Sequence, residues 1–224
     1  AAVEEGRGIY ENIQKFLRFL FSTNVALILL IAVGVVGATV AGIRDSAGHV
    51  LVPLTAAQLL WINIIADGPP ALALGIDRNP GVMLRRPRRP DAPLLSRPDA
   101  RFVLVGGALK AALGLVLFFL VPRLGYDGDQ TRTVVFLYES LAQLAFVYPA
   151  RLVSVRPRPN RVLNVIVVAT VLLQIATVSV PGLRTLLGLA TIDAGVIAMV
   201  TVALAVSVAG AFALARRSSE PVVA

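Results

Sequence analysis

The stretch Gln58-Leu59-Leu60-Trp61-Ile62-Asn63-Ile64-Ile65-Ala66-Asp67-Gly68-Pro69-Pro70-Ala71-Leu72-Ala73-Leu74-Gly75 decides how this chain folds. It is predominantly apolar and close to the ~20 helical residues that cross a hydrocarbon core. Asp67 falls in its middle, followed at once by Gly68, Pro69 and Pro70. A carboxylate at membrane depth is costly and by default marks a functional site. Proline has no N–H, and its ring clashes with the carbonyl four residues back. Pro69 therefore frees the carbonyl of Ile65, and Pro70 that of Ala66. Unwound backbone at this depth persists only where it is buried in protein or lines a cavity. Asn63 lies four residues before Asp67, on the same helix face. An amide oxygen, a carboxylate and two freed carbonyls form part of a shell for a hard cation such as Ca²⁺ or Mg²⁺, and Mn²⁺ tolerates the same donors. The metal-site residues read from this stretch are Asn63, Asp67, Ile65 and Ala66.

Composition sets the surroundings of that stretch. Of 224 residues, 57% are hydrophobic and only 15% charged, with a mean hydropathy of +0.80. A soluble domain of this size carries more charge, so the chain reads as all-α, a polytopic helical bundle in a membrane. The formal net charge of +8 does not indicate nucleic acid. The arginines cluster in short loops between apolar segments, as the positive-inside rule requires. The chain has no cysteine, which excludes disulfides and thiolate metal sites. Its single histidine, His49, falls in a short loop and reads as a surface residue.

Six spans are expected near residues 22–42, 54–76, 101–121, 132–150, 161–181 and 193–215. The fourth is the weakest, because Glu139 and Gln143 interrupt it and Pro149 ends it. Sixteen of the basic residues fall on one side of this arrangement and four on the other. That places both termini and the basic loops in the cytoplasm, in a plasma membrane of bacterial inner-membrane type. Three regions follow: a cytoplasmic stalk helix at 1–21, a translocation domain at 22–215 and a tail at 216–224. The stalk reads as an amphipathic helix over 7–21, with Ile9, Ile13, Phe16, Leu17 and Leu20 on one face and Glu11, Asn12, Lys15 and Arg18 on the other. It runs into the first span without a strong breaker, as a continuous helix or as one lying on the membrane surface. The run Arg85-Arg86-Pro87-Arg88-Arg89-Pro90 should be extended. It reads as a topogenic loop touching anionic lipid or as a docking surface.

Other polar residues within the spans extend the candidate list. Asn24, at the start of the first span, is either a ligand or a helix cap. Glu139 and Gln143 share a face of the fourth span. Lys110 lies mid-span in the third and is a possible structural partner of Asp67. Gln174 reads as a helix–helix hydrogen bond. Gly106, Gly107 and Gly114 indicate close packing, not chemistry.

Two runs carry a resemblance. Gly6-Arg7-Gly8-Ile9-Tyr10-Glu11-Asn12-Ile13-Gln14-Lys15-Phe16-Leu17-Arg18-Phe19-Leu20, followed by Ser22-Thr23-Asn24, resembles the stalk and fifth transmembrane helix of P-type cation-transporting ATPases. The stretch from Leu59 to Gly75 is similar to their sixth helix, and the six spans follow the order of their C-terminal half. The resemblance implies that Asn63, Asp67 and Asn24 are ion ligands, with Gln143 near the position of an eighth-helix carboxylate. Leu27 stands where two-site calcium pumps carry a carboxylate and Ala66 where they carry a threonine, which implies one ion per cycle, as in single-site calcium/manganese pumps. The family's fourth-helix glutamate lies outside this chain.

The family's phosphorylated Asp-Lys-Thr-Gly-Thr motif is absent from the sequence, as is a Walker-type Gly-x-x-x-x-Gly-Lys-Ser/Thr loop. ATP and Mg²⁺ are thus expected only through catalytic domains that this chain lacks, and the chain alone is not expected to hydrolyse ATP. The chain opens Ala-Ala-Val-Glu-Glu, without a signal-peptide pattern, which suggests an internal start or a truncated product. The function expected is the membrane portion of an ATP-driven pump for a divalent cation, Ca²⁺ or Mn²⁺. Its partners are the lipid bilayer and a catalytic half in the same gene or a separate chain, not nucleic acid. The alternative is an orphan membrane module with a structural role. An unrelated carrier would show internal repeats, and none is evident.

Overall fold

The protein is described by a computed structural model covering residues 2–45, 47–79, 93–152 and 159–219. The basic run at 85–90, Arg156, Arg158 and the end of the tail lie outside the described residues. The helices in chain order are α1 (Ala2–Ala41), α2 (Ala56–Trp61), a π-helical turn (Ile62–Asp67), α3 (Gly68–Gly75), α4 (Arg97–Leu120), α5 (Gly128–Ala150), α6 (Arg161–Ser179), α7 (Pro181–Leu186) and α8 (Ala194–Ser219). Five of them are long and apolar enough to cross a membrane. The sixth expected span is α2, the π turn and α3 in succession, a continuous helical path over 56–75.

Capping explains where the spans begin. Ser96 and Asp99 form a reciprocal capping box at the start of α4, and Asp127 and Gln130 do the same for α5. These pairs satisfy otherwise orphaned N–H groups and start both helices four residues earlier than hydropathy predicts. In α1 nothing interrupts the ladder, so stalk and first span are one rod of 40 residues, about 60 Å at 1.5 Å per residue. The boundary expected at residue 21 is not marked by any break.

The stalk corrects one expectation. Its polar stripe is the buried face: Glu11, Asn12, Gln14, Lys15 and Arg18 are all under 9% exposed, while Ile9 and Ile13 are 54% and 41% exposed. Periodicity identifies which side chains share a face, but not which face finds partners. Here hydrogen bonds and ion pairs from neighbouring helix ends determine the docking.

Hydropathy also understates α5. It is the least apolar of the long helices because it is the central one: 83% of its core window is buried, against 28% for α6 and for α8. Its polar side chains face other helices and not lipid. Helix α5 packs against α4, α6, α8 and the π turn, while α1 lies along α4.

The α1–α4 contact depends on Gly107. A Cβ there would stand 2.7 Å from the Ser22 carbonyl oxygen and 2.9 Å from Val25 Cγ1. At Gly106 the nearest atom would be 3.6 Å away, in ordinary contact. Gly107→Ala should therefore destabilise the bundle by about 1–3 kcal/mol, as overpacking typically does. Gly106→Ala should be close to neutral; thermal shifts of the two variants in nanodiscs provide the check.

Candidate intramembrane cation site

The prolines do not unwind the second span as expected. The helix widens to a π turn over Ile62–Asp67, and α3 then restarts at Gly68 with Pro69 and Pro70 in its first turn. A missing N–H is no loss at that position. Widening re-registers the ladder, so the backbone stays helical. The carbonyl of Ile65 still has no helical N–H to accept from at the fourth or fifth residue after it, because both are prolines. That of Ala66 can be reached from Ala71, five residues on. Such π turns are rare and cluster at functional sites.

Asp67 ends this turn and points inward, 4% exposed. Gln143 of α5 donates its Nε2–H to Asp67 Oδ1 at 2.5 Å. Lys110 of α4 donates to Gln143 Oε1 and lies 2.8 Å from Glu139 Oε2. The Thr23 hydroxyl of α1 borders the Asp67 carboxylate. Lys110, Glu139 and Gln143 are fully buried. Three membrane elements thus meet at one polar chain, Asp67–Gln143–Lys110–Glu139. Lys110 pairs with Glu139 and bonds Gln143; it acts on Asp67 through its charge, without the direct ion pair that the sequence suggested.

The remaining sequence candidates fall into two groups. Ala66 is buried beside Asp67, and Ile65 is half-buried on the same turn. Asn63 is exposed on the outer face of the span, so a shared helix face did not bring it to the inner cluster. Asn24 is mid-helix in α1 and donates to the Leu20 carbonyl at 2.8 Å, so it is not a cap. Among the described residues, no three His, Cys, Asp or Glu side chains converge on one point. A cation here would take most of its oxygens from amides, carbonyls or groups beyond these residues. Trp61 Nε1 donates to Gln174 Oε1 at 3.3 Å, the helix–helix bond expected of Gln174.

A second buried cluster, at the C-terminal end of the same span, escaped the sequence analysis. Asp77 accepts from Lys15 Nζ at 2.7 Å, from Arg151 Nε and Nη2 at 3.0 and 2.9 Å, and from Asn160 Nδ2 at 2.9 Å. Asn12 donates to the carbonyls of Gly75 and Asp77. Arg18 pairs with Asp99 at 3.2 Å and stacks on the Phe102 ring. The stalk is therefore bolted to the ends of the second, third and fourth spans. An acid just past a span end, level with Lys15 and Arg151, was the available signal.

These features define a membrane helical bundle with a polar cluster at a proline-associated π turn within one span. Residues 51–217 match the family model described as "Cation transporting ATPase, C-terminus", and the chain belongs to that family. It is 33% identical over 190 residues to a "Calcium-transporting ATPase" of Bacillus subtilis (strain 168), covering 82% of this chain and 20% of the relative. It is 40% identical over 132 residues to "Calcium-transporting ATPase 1" of Schizosaccharomyces pombe, covering 58% of this chain and 13% of the relative. It is 38% identical over 138 residues to "Calcium-transporting ATPase type 2C member 2" of Mus musculus, covering 61% of this chain and 14% of that relative. The chain thus spans about a fifth or less of the length of these relatives.

Asp77 carries the prediction from this second cluster. Burial raises its pKa, but the hydrogen bonds and charges of Arg151 and Lys15 outweigh that and hold it below the ordinary 3.8. A depressed carboxylate stabilises the fold above its usual range, and the contribution is lost as pH falls through the lowered value. Docking of the stalk should accordingly be constant through neutral and mildly acidic pH and weaken only below about pH 4. Asp77→Asn removes the carboxylate that Lys15 and Arg151 share, a change that costs about 3–5 kcal/mol in comparable buried pairs. Hydrogen exchange should then accelerate over residues 8–18 of α1 and stay unchanged over 26–38. Uniform exchange in both variant and parent would rule out this clasp.

Proposed function

We propose that this chain is the C-terminal membrane portion of an ATP-driven pump for a divalent cation, Ca²⁺ by preference and Mn²⁺ as the alternative. In this proposal it supplies part of the ion site, while phosphorylation and nucleotide binding belong to a catalytic half outside it. The observation that carries the proposal is Asp67, a buried carboxylate on a π turn beside a carbonyl that two prolines leave without a helical donor. Family membership and relatives named for calcium transport support the choice of cargo. Asp67 is the charged ligand. The carbonyls of Ile65 and Ala66 and the amides of Gln143, Asn24 and Asn63 are the neutral oxygens from which the shell is completed.

Helix α1 supports a transmission role. It is one unbroken rod from the cytoplasmic cluster around Asp77 to the level of Thr23 beside Asp67. Motion imposed on its N-terminal end would reach the ion site without loss in a loop. The outward face formed by Ile28 (67% exposed), Leu60, Asn63 and Ile64 is open. A further membrane helix of the pump would cover it and bring ligands toward Asn63. In this arrangement both termini lie in the cytoplasm of a bacterial plasma membrane.

The test is Ca²⁺ and Mn²⁺ binding to the purified chain in nanodiscs, compared with Asp67→Asn. Saturable binding should fall at least tenfold in the variant, since a charged ligand contributes more than the 1.4 kcal/mol that a factor of ten represents. Equal binding in both proteins would exclude Asp67 as the ion carboxylate.

A further inference from the structure

Gln143 stands between two groups of opposite character. The Lys110 ammonium only donates hydrogen bonds, and an ionised carboxylate only accepts them. An amide that touches both has one arrangement, with Oε1 toward Lys110 and Nε2 toward Asp67. Gln143 consequently presents the positive end of its dipole to Asp67. That is the reverse of what a cation at Asp67 requires, because an amide ligates hard metals through oxygen.

Lys110 is itself held on two sides. Its ammonium lies 2.8 Å from Glu139 Oε2, and its backbone carbonyl accepts the Tyr138 hydroxyl at 3.0 Å. Gly114, one turn along α4, leaves room for the Glu139 carboxylate; a Cβ there would come within 2.9 Å of Glu139 Oε1. Glu139, Tyr138 and Gln143 all project from α5. The α4–α5 contact thus fixes the ammonium, and the ammonium fixes the amide.

We propose that Lys110 is a positioning residue that sets the cation affinity of the Asp67 site by controlling which end of the Gln143 amide faces it. The inference rests on Asp67 being the ion carboxylate, as argued above. While Lys110 holds Oε1, Gln143 caps Asp67 with an N–H and disfavours the ion. When Lys110 withdraws, the amide turns and its oxygen joins the shell. Binding is thereby coupled to the separation of α4 and α5 at this depth. The coupling requires no change in the protonation of any group.

The experiment measures ⁴⁵Ca²⁺ binding to the 224-residue chain in nanodiscs for four proteins: the parent, Lys110→Met/Glu139→Leu, that pair with Gln143→Leu added, and Asp67→Asn. Removing the ion pair as a unit leaves no orphaned charge, and such replacements are often tolerated. The paired variant should bind about tenfold tighter than the parent, equivalent to one good interaction gained, and adding Gln143→Leu should abolish the gain. Unchanged affinity in the paired variant, with binding still lost in Asp67→Asn, would overturn the role of Lys110 and leave the ion site standing. A gain that survives Gln143→Leu would also overturn it, because the effect would not pass through the amide. Absence of binding in all four proteins, or binding that Asp67→Asn does not diminish, would overturn the ion-site assignment together with this inference. Should that pair yield no folded protein, Lys110→Leu/Glu139→Met, which likewise offers Gln143 Oε1 no donor, takes its place with the same expectations.

Discussion

An ionised side chain inside a membrane must be compensated from within the protein, because the hydrocarbon offers neither charge nor hydrogen bonds. Asp67 sets that requirement, and much of the bundle is arranged to meet it. It accepts from Gln143, Gln143 from Lys110, and Lys110 lies against Glu139, so one carboxylate recruits polar side chains from α4 and α5. This is why α5 occupies the centre despite being the least apolar of the long helices. It is also why a glycine is found at Gly114, where a larger residue would displace the Glu139 carboxylate. A half-satisfied network of this kind costs more than an apolar core, so Lys110 and Glu139 are retained or lost together.

The two buried clusters divide the labour along a single rod. At one end, Asp77 draws Lys15, Arg151 and Asn160 together and clamps the stalk to the neighbouring span ends. Further into the membrane, Thr23 brings the same helix against Asp67. A rod held at one level and in contact at another links displacement of the stalk to displacement beside Asp67. Ile9 and Ile13 are exposed on the opposite face of the stalk, clear of the bundle.

The sequence disclosed the fold class, the positions of the spans and the burial of Asp67 at mid-span, because each rests on composition, length or a single costly residue. It disclosed less where tertiary partners override local pattern. The polar stripe of the stalk is buried because Asp77 and Asp99 meet it, and neither is visible as a partner from the spacing of residues 7–21. Pro69 and Pro70 predicted a break; the π turn upstream absorbed them, a backbone choice that no side-chain pattern announces. Asn63 shares a face with Asp67 by spacing yet lies outward, since the inner positions are taken by α1 and α5. Gln143 and Lys110 were each visible as out-of-place polar residues, but their joining required the packing of α4 on α5.

The central claim is that Asp67 is the carboxylate that meets the transported cation. Infrared difference spectroscopy on adding Ca²⁺ to the protein in nanodiscs tests it most directly, because carboxylate stretching bands shift when a metal coordinates. The account predicts a carboxylate shift that disappears in Asp67→Asn and persists in Asp193→Asn, whose exposed side chain sits at the far end of the bundle near Tyr126. A shift that persists in Asp67→Asn, or no shift in protein that demonstrably binds the ion, would contradict it.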